Sequence, residues 1–149
     1  MNGYLANHKR GEKVMKRLAV FASILISVIV PQVNAESRCS NADLRGVYSF
    51  VASGTFGGAA FATAGQTTYD GDGRVAGFIQ ISLNGTITPV IPWTGTYSVN
   101  SENCTVTKTA TIPGVGTVHF FVTAGDRFNE LRFIATDTGT AITGTARKQ

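Results

Sequence analysis

Residues 66–85 read Gln66-Thr67-Thr68-Tyr69-Asp70-Gly71-Asp72-Gly73-Arg74-Val75-Ala76-Gly77-Phe78-Ile79-Gln80-Ile81-Ser82-Leu83-Asn84-Gly85. Two turn signatures bracket a run in which Val75, Ile79 and Ile81 fall on one face and Phe78, Gln80 and Ser82 on the other. A period of two belongs to a half-buried strand. Asp-Gly and Asn-Gly pairs supply the positive φ that tight hairpins demand, so neighbours in sequence become antiparallel neighbours in space.

The same rhythm extends in both directions. Further breaks fall at residues 53–58, 100–103, 113–116, 125–129 and 137–139, between runs rich in Val, Ile, Thr, Phe and Tyr. Seven turns imply eight strands, and connections this short suit an up-and-down barrel better than a Greek-key sandwich. Closure also removes edges that a threonine-rich, charge-poor sheet has little means to protect. The expected fold is therefore all-β, a single eight-stranded antiparallel up-and-down barrel, preceded by one helical turn around Ser40 to Leu44. Gly65, Gly77, Gly95 and Gly144 lie inside the runs, where they either let the sheet bend or merely weaken the strand locally. Pro89 and Pro92 share one run at an odd separation, so their missing N–H groups would face opposite neighbours. A bulge or break is expected near Val90 and Ile91, with regular strand resuming at Trp93.

Charge is unevenly placed. The formal +4 arises from 13 basic and 9 acidic residues, and Lys9, Arg10, Lys13, Lys16 and Arg17 crowd the start of the chain. Residues 36–149 carry 8 basic and 8 acidic groups without a basic cluster, which excludes the footprint a phosphate backbone requires; no nucleic-acid partner is expected. Lys16 and Arg17 precede the apolar run from Leu18 to Val30, and Ala35 closes a small-residue cleavage pattern. The pattern is that of a secretory signal over residues 1–35, with Met15 an alternative start, and the run is too short for a stable membrane span. The folded domain is then residues 36–149, secreted or periplasmic. Cys39 and Cys104 both fall in it, and an even count in an oxidising compartment favours a disulfide.

Alternation assigns Tyr48, Phe50, Phe61, Tyr69, Val75, Ile79, Ile81, Ile91, Trp93, Tyr97, Val99, Phe120, Val122, Leu131, Phe133 and Ile142 to the interior. Eight strands enclose a space that side chains fill or that holds one small ligand. With so many rings inside, the sequence leaves a plugged interior and an aromatic-lined cavity both open. In the run Thr105 to Thr111 the threonines take one face, so Lys108 shares the other with Val106 and Ala110. Burying an ammonium is costly, which favours a position near a barrel end from which Lys108 reaches water; the alternative is a polar anchor for a ligand. His119 points outward. Phe78 and Phe121 are outward too and Phe128 occupies a turn; clustered, they would offer an apolar surface for a homo-oligomer, and scattered they need no explanation.

Asp70-Gly71-Asp72-Gly73 lacks the later carboxylates of a calcium loop and reads as a hairpin turn. With one histidine and no Cys-x-x-Cys in residues 36–149, no metal is expected, and no cofactor or catalytic motif is visible.

Cys39…Leu44-Arg-Gly-Val-Tyr-Ser-Phe50, Tyr69-Asp-Gly-Asp-Gly-Arg-Val-Ala-Gly77, Gly95-Thr-Tyr-Ser-Val-Asn100, Cys104-Thr-Val-Thr107 and Ile142-Thr-Gly-Thr-Ala-Arg147 together resemble a group of uncharacterised secreted bacterial proteins. The rhythm of strand, Asp-Gly turn and glycine-containing strand is similar, more distantly, to the small barrels of allene oxide cyclase, dirigent proteins and spirotetronate cyclases. That resemblance implies apolar ligands held inside a barrel, and it transfers no catalytic position. The first functional reading is non-catalytic binding of a small apolar or aromatic molecule, with Tyr48, Trp93, Tyr97, Phe120 and Phe133 as lining and Lys108 as anchor. A cyclase-like enzyme and a structural module of the cell envelope are the alternatives.

Overall fold

The computed structural model describes residues 39–149; the secretory segment read over residues 1–35 lies outside the described residues. Nine strands follow in chain order: β1 (Gly46–Phe56), β2 (Ala59–Tyr69), β3 (Arg74–Leu83), β4 (Thr86–Ile87), β5 (Ile91–Val99), β6 (Thr105–Ile112), β7 (Gly116–Gly125), β8 (Glu130–Ala135) and β9 (Thr140–Lys148). Short 3-10 turns occupy Asn41–Leu44 and Asp126–Phe128. Every pairing is antiparallel, and β1 bonds to both β2 and β9, so eight strands close into a barrel while the two-residue β4 adheres outside the ring to the end of β3. All seven anticipated turns are present, the first being narrower than expected because β1 runs on to Phe56 and only Gly57 and Gly58 form its turn.

The ninth strand is a consequence of proline. Ser82 faces Ile87 while Ile79 faces Ile91, so Gln80 and Ile81 of β3 oppose Thr88, Pro89 and Val90, a one-residue bulge. The break is thus centred on Pro89, and regular strand resumes at Ile91, two residues earlier than the sequence suggested. The reason lies in which neighbour each proline faces. Tyr97 N–H donates to Gly73 O across β3, and Thr96 N–H donates to the Thr109 hydroxyl across β6, so odd positions of this strand address β3 and even positions β6. Pro92 therefore addresses β6, whose ladder begins only at Thr94. Pro89 would address β3, and there the chain bulges, with Thr88 taking over through N–H to Ile81 O at 2.8 Å and its Oγ1 accepting Ile81 N–H at 3.1 Å.

The glycines within the strands point inward, and their function is space. A Cβ on Gly77 would collide with the Gln66 carbonyl, on Gly95 with the Thr109 carbonyl, and on Gly65 with the Phe78 carbonyl. Adjacent strands approach this closely only where a sheet is sharply coiled. Three of the largest interior rings sit directly across from these positions, in the pairs Phe50–Gly65, Trp93–Gly77 and Phe133–Gly144. Each ring fills the volume its partner leaves vacant.

All sixteen residues assigned inward are either buried or packed against the core. The core divides along the barrel axis. At one end lie Cys39, Leu44, Tyr48, Tyr69, Tyr97, Val106, Phe128 and Leu131, each at most 8% exposed. Phe128 is therefore part of this plug, held there by the 3-10 turn, and does not contribute to an outer patch. Cys39 and Cys104 are bonded across this end, with Cα atoms 5.5 Å apart. At the opposite end a second cluster comprises Ala52, Val118, Ala135 and Ile142.

Two expectations follow. Replacing both cysteines by alanine opens a covalent loop spanning 65 positions, which is expected to cost about 4 kcal/mol and to lower the melting temperature by roughly 10–20 °C in thermal unfolding. Gly77→Ala is expected to cost more than about 3 kcal/mol in denaturant unfolding because backbone must move; Gly114→Ala, at φ +79° with open space around it, is expected to cost only about 1–2 kcal/mol.

Candidate functional site: a half-empty barrel with a buried lysine

The plug end is made solid by tyrosine. Tyr69 packs edge-on against Tyr48 at 5.3 Å and Tyr97 at 5.0 Å between ring centroids. Tyr48 donates its hydroxyl to Phe128 O at 2.7 Å, and Tyr97 donates to Asn41 O at 3.1 Å while accepting Gly71 N–H at 2.9 Å. Asn41 returns a carboxamide oxygen to Val99 N–H at 2.8 Å, tying the amino-terminal turn over the barrel mouth. Burial raises all three tyrosines above their usual pKa, Tyr48 to about 12.

The other half retains a small cavity. A cavity offering about 50 Å³ to the centres of water molecules is walled by side chains that include Phe50, Phe61, Trp93, Lys108, Phe120 and Phe133. A single water needs about 10–15 Å³ on that measure, so the space holds several waters or one small molecule. Phe120 and Phe133 meet edge-on at 5.7 Å, and Phe50 meets Phe133 at 6.3 Å. Of the residues the sequence proposed as lining, Trp93, Lys108, Phe120 and Phe133 surround this cavity; Tyr48 and Tyr97 do not. Their hydroxyls are engaged by backbone at the plug, which draws the rings to the far end.

Lys108 corrects the sequence reading most sharply. It is the fourth of eight residues in β6, between Val106 and Ala110, which are 1% and 3% exposed. From there its side chain turns inward among rings, and the residue as a whole is partly buried. Its ammonium sits 4.9 Å from the Trp93 ring centroid, 5.3 Å from Phe120, 5.7 Å from Phe133 and 5.8 Å from Tyr69. Tyr69 thereby separates the plug from the cavity. Four ring faces offset part of the cost of desolvation, yet the apolar surroundings still pull the Lys108 pKa from its usual 10.5 to about 8. The ion pairs among the described residues, His119 with Asp137 and Arg132 with Glu130, lie on the outer surface and do not include it. Trp93, 4% exposed, has an indole N–H with no hydrogen-bond partner.

Sequence reasoning missed Ala110, Ile112, Val118 and Phe56 as wall residues. The signal was present in the alternation of Thr-Val-Thr-Lys-Thr-Ala-Thr-Ile, whose non-threonine face is entirely inward. Outside the barrel, His119 accepts its predicted outward place, with Nδ1 2.7 Å from Asp137 Oδ1 and its backbone N–H donating to Asp137 Oδ2 at 2.7 Å. These contacts, led by the backbone N–H, hold the Asp137 pKa low. Asp70 is similarly lowered, chiefly by the Asp72 N–H, as a hairpin-turn carboxylate. Phe78 and Phe121 are 45% and 41% exposed, but they lie three pairings apart around the barrel, β3 to β5 to β6 to β7, and form no common patch.

No family model matches the chain, and neither a curated protein nor a solved structure matches it. The site is accordingly interpreted from its own geometry.

Stability should record the buried lysine. The folded pKa lies below the unfolded one, so Lys108 costs stability fully below about pH 8 and that cost is relieved as pH rises toward 10.5. The tyrosines act oppositely, because the unfolded chain ionises above about pH 10 while their folded pKa values are raised. Wild-type stability is expected to climb by about 1 kcal/mol from pH 8 to between pH 9 and 10 and then fall. Lys108→Met is expected to be more stable than wild type at pH 7 and to lose the climb, as measured by urea unfolding across that range.

Proposed function

We propose that this chain is an exported small β-barrel, secreted or periplasmic, that binds a small apolar or aromatic molecule in its interior without transforming it. The observation that carries this reading is the cavity left in one half of the barrel. Interiors normally pack with few voids larger than a water molecule, and here a cavity remains beside Trp93, Phe120 and Phe133. An apolar, concave space with few polar groups is the usual form of a small-molecule site.

Catalysis is less well supported. Among the described residues Lys108 is the only ionisable side chain in the cavity wall, and no carboxylate, histidine or nucleophile stands beside it to form the paired arrangement that acid–base or covalent catalysis commonly uses. Export is supported by the basic and apolar opening of the sequence together with the Cys39–Cys104 bond. Among the described residues no helix is long and apolar enough to cross a membrane.

Trp93 is the sole tryptophan, so its emission reports on the cavity alone. Titration with toluene or benzyl alcohol is expected to give a saturable change with Kd between about 10 μM and 1 mM, an affinity appropriate to a single ring. Ala110→Leu, which puts an isobutyl group into the cavity, is expected to abolish that change with the far-ultraviolet β signal intact. A non-saturable response, or equal binding by the filled variant, overturns the reading.

A further inference from the structure

We infer that the ligand of this cavity is an apolar carboxylic acid of single-ring or short-chain size, its carboxylate received by Lys108 Nζ and Trp93 Nε1. The inference deepens the binding reading above and rests on it.

The polar groups of the cavity wall are few. Lys108 brings three donors and no acceptor, and Trp93 brings one donor. Thr63 donates its hydroxyl to Gln80 O at 2.8 Å and is already engaged. The site thus presents donors whose acceptors are missing: an indole N–H buried without a partner and an ammonium met by ring faces on four sides. Rings attract a cation but accept its N–H bonds only weakly. A ligand complementary to this wall supplies acceptors and no donors. A neutral acceptor such as an ether or ketone would satisfy hydrogen bonding and leave the charge uncompensated. A carboxylate supplies two oxygens and a single negative charge, which matches one ammonium; a charge-assisted bond of this kind is stronger than a neutral one. A phosphate monoester would bring a second charge with no cation to meet it.

Size follows from the space. Room for roughly four waters accommodates a benzoate-like ring, and the rest of the wall, from Phe50 and Ile79 to Val118 and Ile142, is apolar. Long-chain fatty acids exceed it. The tyrosine plug closes the far end, so the tail must point toward the rim at Phe56, Phe61 and Val115.

The test compares benzoate, benzamide and toluene by calorimetry on the full chain, its disulfide intact, at pH 6.5 and pH 9.5. At pH 6.5 benzoate is expected to bind at least ten-fold more tightly than benzamide or toluene, and to lose at least ten-fold at pH 9.5, where Lys108 has given up its proton. Lys108→Met and Lys108→Gln are expected to erase the benzoate preference while toluene still binds, and Trp93→Phe to weaken benzoate by a smaller factor. Equal affinity for the three probes, or a benzoate preference that survives in both Lys108 variants, overturns the inference and leaves apolar binding standing. A borohydride-trapped benzaldehyde adduct on Lys108 without benzoate preference also overturns it, in favour of carbonyl capture. Failure of every probe to bind overturns the cavity reading itself.

Discussion

The hydrogen-bonding of β1 to both its successor and the last strand of the chain is the constraint on which the remainder depends. Tyr48 faces Thr67 on one side and Lys148 on the other. That double pairing leaves no edge among the eight ring strands, and it defines an inside. A ring this small can close only if its strands coil tightly, and coiling this tight brings neighbouring backbone over Gly65, Gly77 and Gly95. The volume lost at Gly65 and Gly77 returns as the Phe50 and Trp93 rings on the facing strands, as it does at Gly144 with Phe133. Closure, glycine position and ring position are therefore one arrangement seen at three scales.

The two halves of the barrel answer the same geometry differently. At the disulfide end, hydroxyl-bearing rings find carbonyl and amide partners in the amino-terminal turn and the Asp126–Phe128 turn, so Tyr48 and Tyr97 are satisfied and the interior is sealed. At the other end only Val115 of the β6–β7 turn reaches the interior, and it brings no polar group. Phe50, Phe120 and Phe133 have no polar tip to direct them, and they line space around Lys108 instead of occupying it. A lysine in that position reduces the stability of the fold, since an apolar residue of similar volume would serve the core better. Its placement is the feature of this interior that packing alone does not account for.

Much of the architecture could be read directly. The Asp70–Gly73 and Asn84-Gly85 turns and the alternation that sends Val75, Ile79 and Ile81 inward each express a local rule with a short range, and each is found in the fold; the interruption read near Val90 and Ile91 is found too, shifted to Pro89. The site was legible only in part. Trp93, Lys108, Phe120 and Phe133 share an inward face in sequence, but alternation says nothing of height along the axis, and height is what separates them from Tyr48 and Tyr97. Phe128 was hidden for a related reason: a turn residue carries no periodicity, and its burial depends on a left-handed backbone at φ +66° that folds it under the barrel.

What the sequence by itself determined is the strand, its two faces and the order of antiparallel neighbours, because hairpin turns and side-chain alternation act between residues close along the chain. What only the tertiary structure decided is the division of the interior into plug and cavity and the burial of the Lys108 ammonium among four rings. Those depend on the stagger between strands when the sheet closes, which sets residues from distant segments at one level of the barrel, and no local pattern encodes that stagger.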